Sequence, residues 1–230
     1  MPAILRYLWD TGKENIMTTK TLTVGPFQSN CFVLSCDDTK EAIIADAGDE
    51  ATRILDYVTT NDLKVQFIIN THAHIDHVSG LAEVVEALSV PVLMHQDETP
   101  VYDNVAASAT MFGLPVPRST KIDRFISGGD EIKFGNVRGR IIDTPGHSPG
   151  GITIVFEDET PPAAIVGDVL FAGSIGRTDL PGADHNVMMS TLKNVIMTFP
   201  DDMIVYSGHG PDTTIGHEKG TNPFLLSLSE

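Results

Sequence analysis

The chain has 230 residues, of which 41% are hydrophobic and 20% are charged. This composition is ordinary for a globular protein and excludes a disordered tail, a coiled coil and a collagen-like chain. The formal net charge of −16 comes from 31 acidic and 15 basic residues. Because such a surface repels phosphate backbones and anionic membranes, we expect neither a nucleic acid nor a membrane as a partner.

The length favours one domain, which we place at residues 17–230, after a predicted N-terminal extension at residues 1–16. The apolar run at residues 2–9 is interrupted by Arg6 and is too short for the core of a signal peptide. The two cysteines, Cys31 and Cys36, are predicted to be small apolar side chains in or beside a strand. This cysteine usage is typical of a reducing compartment, so the protein is predicted to be cytoplasmic.

The front half of the chain alternates short β-rich runs with helical patterns. Strands are predicted at Thr21–Val24, Cys31–Leu34, Ala42–Ala45 and Val65–Ile69. Apolar residues at helical spacing predict helices at Glu50–Thr59 and between Val78 and Leu88. The middle of the chain is predicted to be helical over Gln96–Met111 and to end before Pro115 and Pro117.

The back half returns to strands, predicted at Glu131–Phe134, Val137–Ile142, Ile152–Phe156, Ala163–Val166 and Met203–Tyr206. One further helix is predicted at Val187–Phe199. The mixture of alternating strands and helices with strand–strand pairs predicts an α/β protein in which sheet is layered between helices.

A cluster of histidines follows the predicted buried strand Val65–Ile69. Its ligand-type residues are His72, His74, Asp76 and His77. In an extended loop, residues two apart point the same way, so the first two histidines can offer two imidazoles to one cation. The aspartate and the last histidine begin the next turn and can reach a second position. The cluster therefore predicts a metal site at the end of this strand.

Three later residues have the same local context, because each follows a predicted strand and is flanked by glycine. They are His147, Asp168 and His209. Glycine lets the backbone approach a ligand closely, and sites in α/β sheets gather beyond strand ends. The other histidines lack this context and are interpreted as surface or packing residues: His95, His185 and His217.

Together these residues suffice for two metal ions. A plausible partition places His72, His74 and His147 on one ion, and Asp76, His77 and His209 on the other. Asp168 would bridge the two ions, since a carboxylate has two oxygens. Imidazole and carboxylate ligands suit zinc, iron or manganese, and we expect zinc. A water between two such ions would have a lowered pKa.

A serine hydrolase is a competing interpretation of the same region. The segment Gly146–Gly150 matches the pattern G-x-S-x-G, and Ser148, Asp168 and His209 follow the chain order of α/β-hydrolases. That elbow needs the backbone N–H of the residue after the serine, and Pro149 has none. A strand rather than a helix is predicted next, so the pattern favours metal chemistry.

The segments THAHIDH, TPGHSPG, VGDVLF and SGHG, in this order, resemble the metallo-β-lactamase superfamily. The resemblance covers about residues 21–226 and implies an αββα sandwich. Two further segments are similar to the small bacterial glyoxalase II-like hydrolases: GSIGRTDLPG at residues 173–182 and GHGPDTTIGHE at residues 208–218. The narrower resemblance implies hydrolysis of a hydroxyacyl-glutathione or related thioester by a hydroxide that bridges two divalent metals.

The family's ligand set matches all seven positions named above, with Asp76 also orienting the nucleophile. Asp46 matches an aspartate that supports the histidine loop from behind the ligands. Arg177 is a candidate contact for a substrate carboxylate, although a salt bridge to Asp179 is an equal alternative.

Several related functions stay open from the sequence. A persulfide dioxygenase of the same superfamily would hold one iron with His72, His147 and Asp168, which is the facial triad of oxygen-using iron sites. Hydrolysis of a lactone, a β-lactam or a phosphodiester is a further alternative, as is a member that only binds a ligand. The expected partner is a small thioester, and the sequence is silent on the oligomeric state.

Overall fold

The computed structural model describes residues 17–228 of the chain. The predicted extension at residues 1–16 lies outside the described residues, and the placement of one domain at residues 17–230 stays a prediction. Within the described part, no helix is long and apolar enough to cross a membrane.

The front half contributes one six-stranded sheet. Its strands are β1 (Met17–Val24), β2 (Ser29–Cys36), β3 (Glu41–Ala45), β4 (Lys64–Ile69), β5 (Val92–His95) and β6 (Arg124–Ile126). They lie side by side in chain order. β1, β2 and β3 pair antiparallel, whereas β3 to β6 pair parallel. Parallel neighbours need crossover connections, which the helices of this half supply.

The back half forms the second sheet. Its strands and a small hairpin are β7 (Glu131–Phe134), β8 (Val137–Asp143), β9 (Ile152–Phe156), β10 (Ala163–Gly167), β11 (Leu170–Phe171), β12 (Ser174–Ile175), β13 (Ile204–Ser207) and β14 (Thr213–Thr214). The order across the sheet is β14-β13-β10-β9-β8-β7, and β11 pairs with β12 apart from it. β8, β10 and β13 run in the same direction, since β9 is antiparallel to both β8 and β10 and β13 is parallel to β10.

Eight α-helices accompany these strands within residues 17–228. They are α1 (Ala51–Thr60), α2 (Ile75–Val78), α3 (Leu81–Leu88), α4 (Thr99–Asp103), α5 (Val105–Phe112), α6 (His185–Asn194), α7 (Ile215–Thr221) and α8 (Pro223–Leu226). Short 3₁₀ turns lie at Gln96–Glu98 and Ile196–Thr198.

Three apolar clusters show how these elements are layered. The inner faces of the two sheets pack on each other, with Phe32 and Ile43 from the first sheet and Ile141 and Phe156 from the second. Helices α1, α2, α3 and α5 cover the outer face of the first sheet. Helices α6, α7 and α8 cover the outer face of the second. The expected α/β fold, an αββα sandwich, is confirmed.

Strand β2 shows why the strands read as continuous apolar runs. Phe32 and Leu34 face the second sheet, whereas Cys31 and Val33 face the helices. Successive side chains of a strand point to opposite faces, and here both faces are covered, so every position is buried. Cys31, as well as Cys36 at the end of the strand, is a free and buried thiol, as predicted.

The structure differs from the predicted elements where an element is short. β5 and β6 have four and three residues and were not predicted, because such runs carry no readable period. The helix predicted over Gln96–Met111 is divided into a 3₁₀ turn, α4 and α5, and it ends at Gly113 in a left-handed conformation (φ 67°). The helix predicted at Val187–Phe199 begins two residues earlier, because Asp184 caps the amides of Asn186 and Val187. It ends at Asn194 and is followed by the 3₁₀ turn Ile196–Thr198.

The strand directions bring distant loops to one edge. The carboxyl ends of β3 and β4 are neighbours in the first sheet, as are those of β10 and β13 in the second. The main-chain N–H of Ile152 donates to Thr71 O (2.9 Å), and that of Asn30 donates to Gly208 O (2.7 Å). These bonds join the two sheets beside the loops that follow β4, β8, β10 and β13.

The interface between the sheets should dominate stability. Ile43 is fully buried there, so we expect Ile43→Ala to lower the free energy of unfolding by about 2–5 kcal/mol, through lost burial and the cavity left behind. Urea denaturation measures this change. Met111→Ala, at a residue that is 70% exposed, should stay within about 0.5 kcal/mol. Equal effects of the two substitutions would contradict this layering.

Candidate metal centre

The seven ligand-type residues predicted from the sequence meet at the edge described above. His72 and His74 lie in the loop after β4, and Asp76 and His77 lie in helix α2. The other three follow β8, β10 and β13 and are His147, Asp168 and His209. Four of the seven are buried and three are partly exposed, so the cluster opens to solvent on one side.

The first group of ligands is formed by His72, His74 and His147. One ligand atom from each lies within 4.8 Å of the others. The closest pair is His74 Nδ1 and His147 Nε2, at 2.8 Å. Three imidazole nitrogens that converge in this way can hold one tetrahedral cation and leave its fourth position open.

The second group is formed by Asp76, His77 and His209, whose ligand atoms also lie within 4.8 Å of one another. His209 Nε2 is 3.0 Å from Asp76 Oδ2, and His77 Nε2 is 3.7 Å from the same oxygen. The sequence partition places the same residues on each ion, and that assignment stays a prediction. Ligand atoms of Asp46, His72 and His77 also lie within 4.8 Å of one another.

Asp168 lies between the two groups. Its Oδ1 is 3.5 Å from His77 Nε2, in the second group. Its Oδ2 is 3.4 Å from His147 Nε2, in the first group, and 3.5 Å from His209 Nε2. A single carboxylate therefore faces both groups, as a bridging ligand must.

Several polar atoms of this cluster have no hydrogen-bond partner among the described residues. They include His72 Nε2, His77 Nε2 and Asp168 Oδ1, all buried. An unsatisfied buried polar group costs about 1–3 kcal/mol, so such atoms need an explanation. Imidazole nitrogens and carboxylate oxygens are metal ligands, and bound cations would satisfy all three atoms. The residues present therefore fit a pair of divalent ions.

The first group is held in the protonation state that binds metal. Burial lowers the pKa of His74 and of His147 to about 4. Burial also lowers the pKa of His72 well below its usual value, and the neighbouring histidines add to the effect. All three rings are neutral at neutral pH, and the neutral imidazole is the form that ligates.

The second group carries charge. Burial opposes the protonation of His77, but Asp76, Asp168 and Asp46 outweigh it and raise the pKa of His77 to about 10. Burial likewise opposes the ionisation of Asp76, and His77 and His209 outweigh it, so the pKa of Asp76 is lowered. Protons on this group neutralise the carboxylates in the way that a cation would.

Contacts behind the ligands orient their rings. Asp46 accepts hydrogen bonds from Thr71 N (2.7 Å) and Thr71 Oγ1 (2.6 Å). Its Oδ2 also lies 3.0 Å from His77 Nδ1, which leaves His77 Nε2 facing the cluster. His147 Nδ1 lies 2.8 Å from the carbonyl oxygen of Arg177, so its Nε2 is the free ligand atom. Such supporting hydrogen bonds fix ring tautomers in metal sites.

Glycines allow the close approach of these loops. A Cβ at Gly208 would lie 2.1 Å from Asp168 Oδ1. A Cβ at Gly176 would lie 1.8 Å from the carbonyl oxygen of Asp168. Glycine is the residue that fits both positions, and the crowding at Gly208 gives a physical reason for the glycine that precedes His209.

The guanidinium of Arg177 forms two hydrogen bonds with the Asp179 carboxylate, at 2.8 and 2.9 Å. Both side chains are exposed. The geometry therefore shows the salt bridge, while contact with a substrate carboxylate stays a prediction. Its main-chain carbonyl, rather than its side chain, touches the cluster.

A groove of about 380 Å³ reaches Asp76 from the surface. Its walls combine the carboxylates of Asp49, Asp76 and Glu83 with apolar residues, which include Val24, Pro26, Phe27, Leu114, Pro115 and Val116. Arg118 also lines the groove, but its guanidinium is paired with Glu86 and lies 3.8 Å from Glu83. The groove thus offers apolar side chains next to charged groups close to the cluster.

The histidines set aside in the sequence lie outside the cluster. His185 and His217 are exposed, and His95 caps the amide of Asp97. One polar residue near the ligands was missed, namely Glu98, which is completely buried. A single glutamate at the start of a helical pattern carries no sequence signal of such a role.

A family model and a known relative match most of this chain. Residues 24–209 match the model of the metallo-beta-lactamase superfamily. The hydroxyacylglutathione hydrolase GloC of Haemophilus influenzae is 35% identical over 215 residues, which cover 93% of this chain and 100% of that protein.

Two solved structures are similar in fold and sequence. BLEG-1, a B3 metallo-beta-lactamase, superposes with a TM-score of 0.84 at 37% identity, over 90% of this chain and 99% of that one. TTHA1623 in a di-iron-bound form has a TM-score of 0.82 at 36% identity, over 90% and 100% of the two chains. On the family match, the fold and the convergent ligand groups, the chain belongs to the metallo-β-lactamase superfamily.

Proposed function

We propose that the protein is a two-metal hydrolase that cleaves a small thioester, of which a hydroxyacyl-glutathione is the representative. The observation that carries this proposal is the pair of ligand groups joined by Asp168. The similarity to GloC over the whole length of that protein supports the thioester as the bond that is cleaved.

We propose that His72, His74 and His147 hold one ion, that Asp76, His77 and His209 hold the other, and that Asp168 contacts both. Zinc is the proposed ion, since it accepts imidazole and carboxylate ligands in tetrahedral sites. Iron is the alternative, because TTHA1623 was solved in a di-iron-bound form. When bound, two such ions supply a water of lowered pKa and polarise a carbonyl oxygen.

The protein's own residues prepare this chemistry. Asp76 is more exposed than Asp168, at 16% against 8% of the side chain, so it faces the side from which water and substrate arrive. Its lowered pKa keeps the carboxylate ionised. Asp76 can therefore accept a hydrogen bond from the attacking water and orient it toward the carbonyl carbon.

A thioester suits a site without a strong general acid. A thiol has a pKa of about 8.5, so the thiolate can depart without being protonated first. The apolar side chains of the groove that reaches Asp76 would receive the acyl group. Because Arg118 is already paired with Glu86, we expect the groove to contribute little to the binding of glutathione carboxylates.

The test combines metal analysis with turnover. Purified protein should contain about two equivalents of metal and hydrolyse S-lactoylglutathione. Chelation should abolish turnover, and returning Zn²⁺ should restore it. Full activity of the metal-free protein would contradict the proposal. One iron per chain, with oxygen consumption on glutathione persulfide, would indicate a dioxygenase instead.

A β-lactam is the second candidate substrate, favoured by the similarity to BLEG-1. The same water could attack a β-lactam carbonyl, since both reactions pass through a tetrahedral oxyanion. A chromogenic cephalosporin assayed beside S-lactoylglutathione separates the two. We expect the thioester to have the higher kcat/KM, and the reverse order would favour the lactamase.

Substitution of Asp46 tests whether its hydrogen bonds hold the ligand rings in the orientation that binds metal. Asp46→Asn replaces an acceptor with an amide N–H that opposes the donors from Thr71 or His77, so the rings lose their fixed orientation. We expect metal affinity to fall about 10–100-fold. Competition with a chromogenic chelator measures it. Asp56→Asn, at an exposed position in α1, is the control, and equal affinities of the two variants would contradict the assignment.

The metal-free protein should be most stable near pH 6.5. Below that value the histidines of the unfolded chain bind protons, whereas folded His74 and His147, with pKa about 4, stay neutral. The free energy of unfolding therefore decreases as the pH is lowered. Above it, folded His77, with pKa about 10, keeps a proton that the unfolded chain releases, so stability falls as pH rises.

Urea midpoints of chelated protein between pH 4.5 and 10 measure this profile. A profile that rises or falls throughout would be inconsistent with these shifts. The control is His185→Asn, an exposed position whose substitution should leave the profile unchanged.

A further inference from the structure

Glu98 is a completely buried carboxylate beside the proposed metal centre. It lies in the 3₁₀ turn Gln96–Glu98, between strand β5 and helix α4. It belongs to neither ligand group, and no step proposed above uses it. Burying a carboxylate is costly unless its oxygens are well paired, so its partners should reveal its role.

Both oxygens of Glu98 are occupied by main-chain amides. Oε2 accepts a hydrogen bond from Ala73 N, and Oε1 accepts one from Gly150 N, each at 2.7 Å. Ala73 stands between His72 and His74, and Gly150 is in the loop that carries His147. One side chain therefore joins the two loops that supply all three histidines of the first group.

The loop that carries Gly150 packs tightly against the turn that carries Glu98. A Cβ at Gly150 would lie 2.9 Å from Glu98 N and 2.6 Å from His95 Nδ1. The second ligand group is supported elsewhere, because Asp46 lies against His77. Asp46 also accepts from the Thr71 hydroxyl, which lies 3.1 Å from His72 Nδ1. The main-chain amides bonded to Glu98, in contrast, belong to the loops that carry the first group.

We infer that Glu98 is a positioning residue that sets the geometry of the His72–His74–His147 group and leaves the Asp76–His77–His209 group largely unaffected. The inference rests on the proposed two-metal function. A carboxylate is required because it offers two acceptor oxygens and no donor. Charge-assisted bonds to amide N–H groups are also stronger than those of a neutral acceptor.

Glu98→Gln is the critical substitution. Whichever way the amide is turned, its NH₂ group meets an N–H donor from Ala73 or Gly150, so one loop is released. We expect the affinity of the first group for its metal ion to fall about 10–100-fold, while the second group keeps its ion. Kcat with S-lactoylglutathione should fall with the occupancy of the first group.

Glu218→Gln is the matched control. Glu218 is also completely buried and joins two segments, but its Oε1 accepts from the Thr213 hydroxyl. A hydroxyl can accept as well as donate, so the NH₂ group of a glutamine is tolerated beside Thr213. The single side-chain oxygen of the glutamine then takes the place of Oε2 and accepts from Gly173 N. This variant should keep both metal affinities.

Stepwise titration of the chelated protein with Co²⁺, followed by visible absorption and chelator competition, measures the two groups separately. Loss of one step in Glu98→Gln, with both steps kept in wild type and in Glu218→Gln, supports the inference. Two unchanged steps in Glu98→Gln would overturn it, even if the variant is less stable.

Glu98→Asp covers the case in which Glu98→Gln does not fold. It keeps both oxygens and the charge but is one methylene shorter, so it can hold only one of the two amides well. Weakened binding in the first step supports the inference, and wild-type binding in both steps overturns it. A wild-type protein that takes up no Co²⁺ would instead overturn the two-metal function, and with it the role of Glu98.

Discussion

Five imidazole rings and two carboxylates share one small volume, and their electrostatics is the constraint on which the rest of the structure depends. His72 Nε2, His77 Nε2 and Asp168 Oδ1 are buried there without hydrogen bonds among the described residues. Burial, together with repulsion between the rings, keeps the first group neutral, while the acidic second group holds protons. Two divalent cations would resolve both features at once, because they satisfy the neutral nitrogens and balance the carboxylates.

The αββα sandwich supplies the rigid frame for this cluster. The first sheet supplies four ligands from the loop and short helix after β4. The second supplies three after β8, β10 and β13, which run in the same direction, so short loops suffice to bring them together. The apolar layer between the sheets, with Phe32 and Ile141, fixes the two edges relative to each other. Asp46 then orients one ligand loop from within the first sheet, and Glu98 connects this loop to a loop of the second. Packing between the sheets therefore also determines the positions of the ligand side chains relative to one another.

Much of this arrangement could be predicted from local sequence. The cluster from His72 to His77 carries its signal within six residues, and His147, Asp168 and His209 are marked by preceding strands and flanking glycines. The role of Asp46 came from a family resemblance. Glu98 could not be predicted, because its function depends on amides 25 and 52 positions away in the chain. β5 and β6 were missed for a similar reason, since pairing within the sheet rather than any period defines them.

Anomalous diffraction from crystals of the purified protein tests the central claim most directly. Data collected on both sides of the zinc and iron absorption edges would locate and identify bound ions. Two peaks about 3.5–4 Å apart are expected, one among His72, His74 and His147 and the other among Asp76, His77 and His209, with Asp168 between them. Crystals with no anomalous peak at these side chains, grown from protein that hydrolyses thioesters, would contradict the claim.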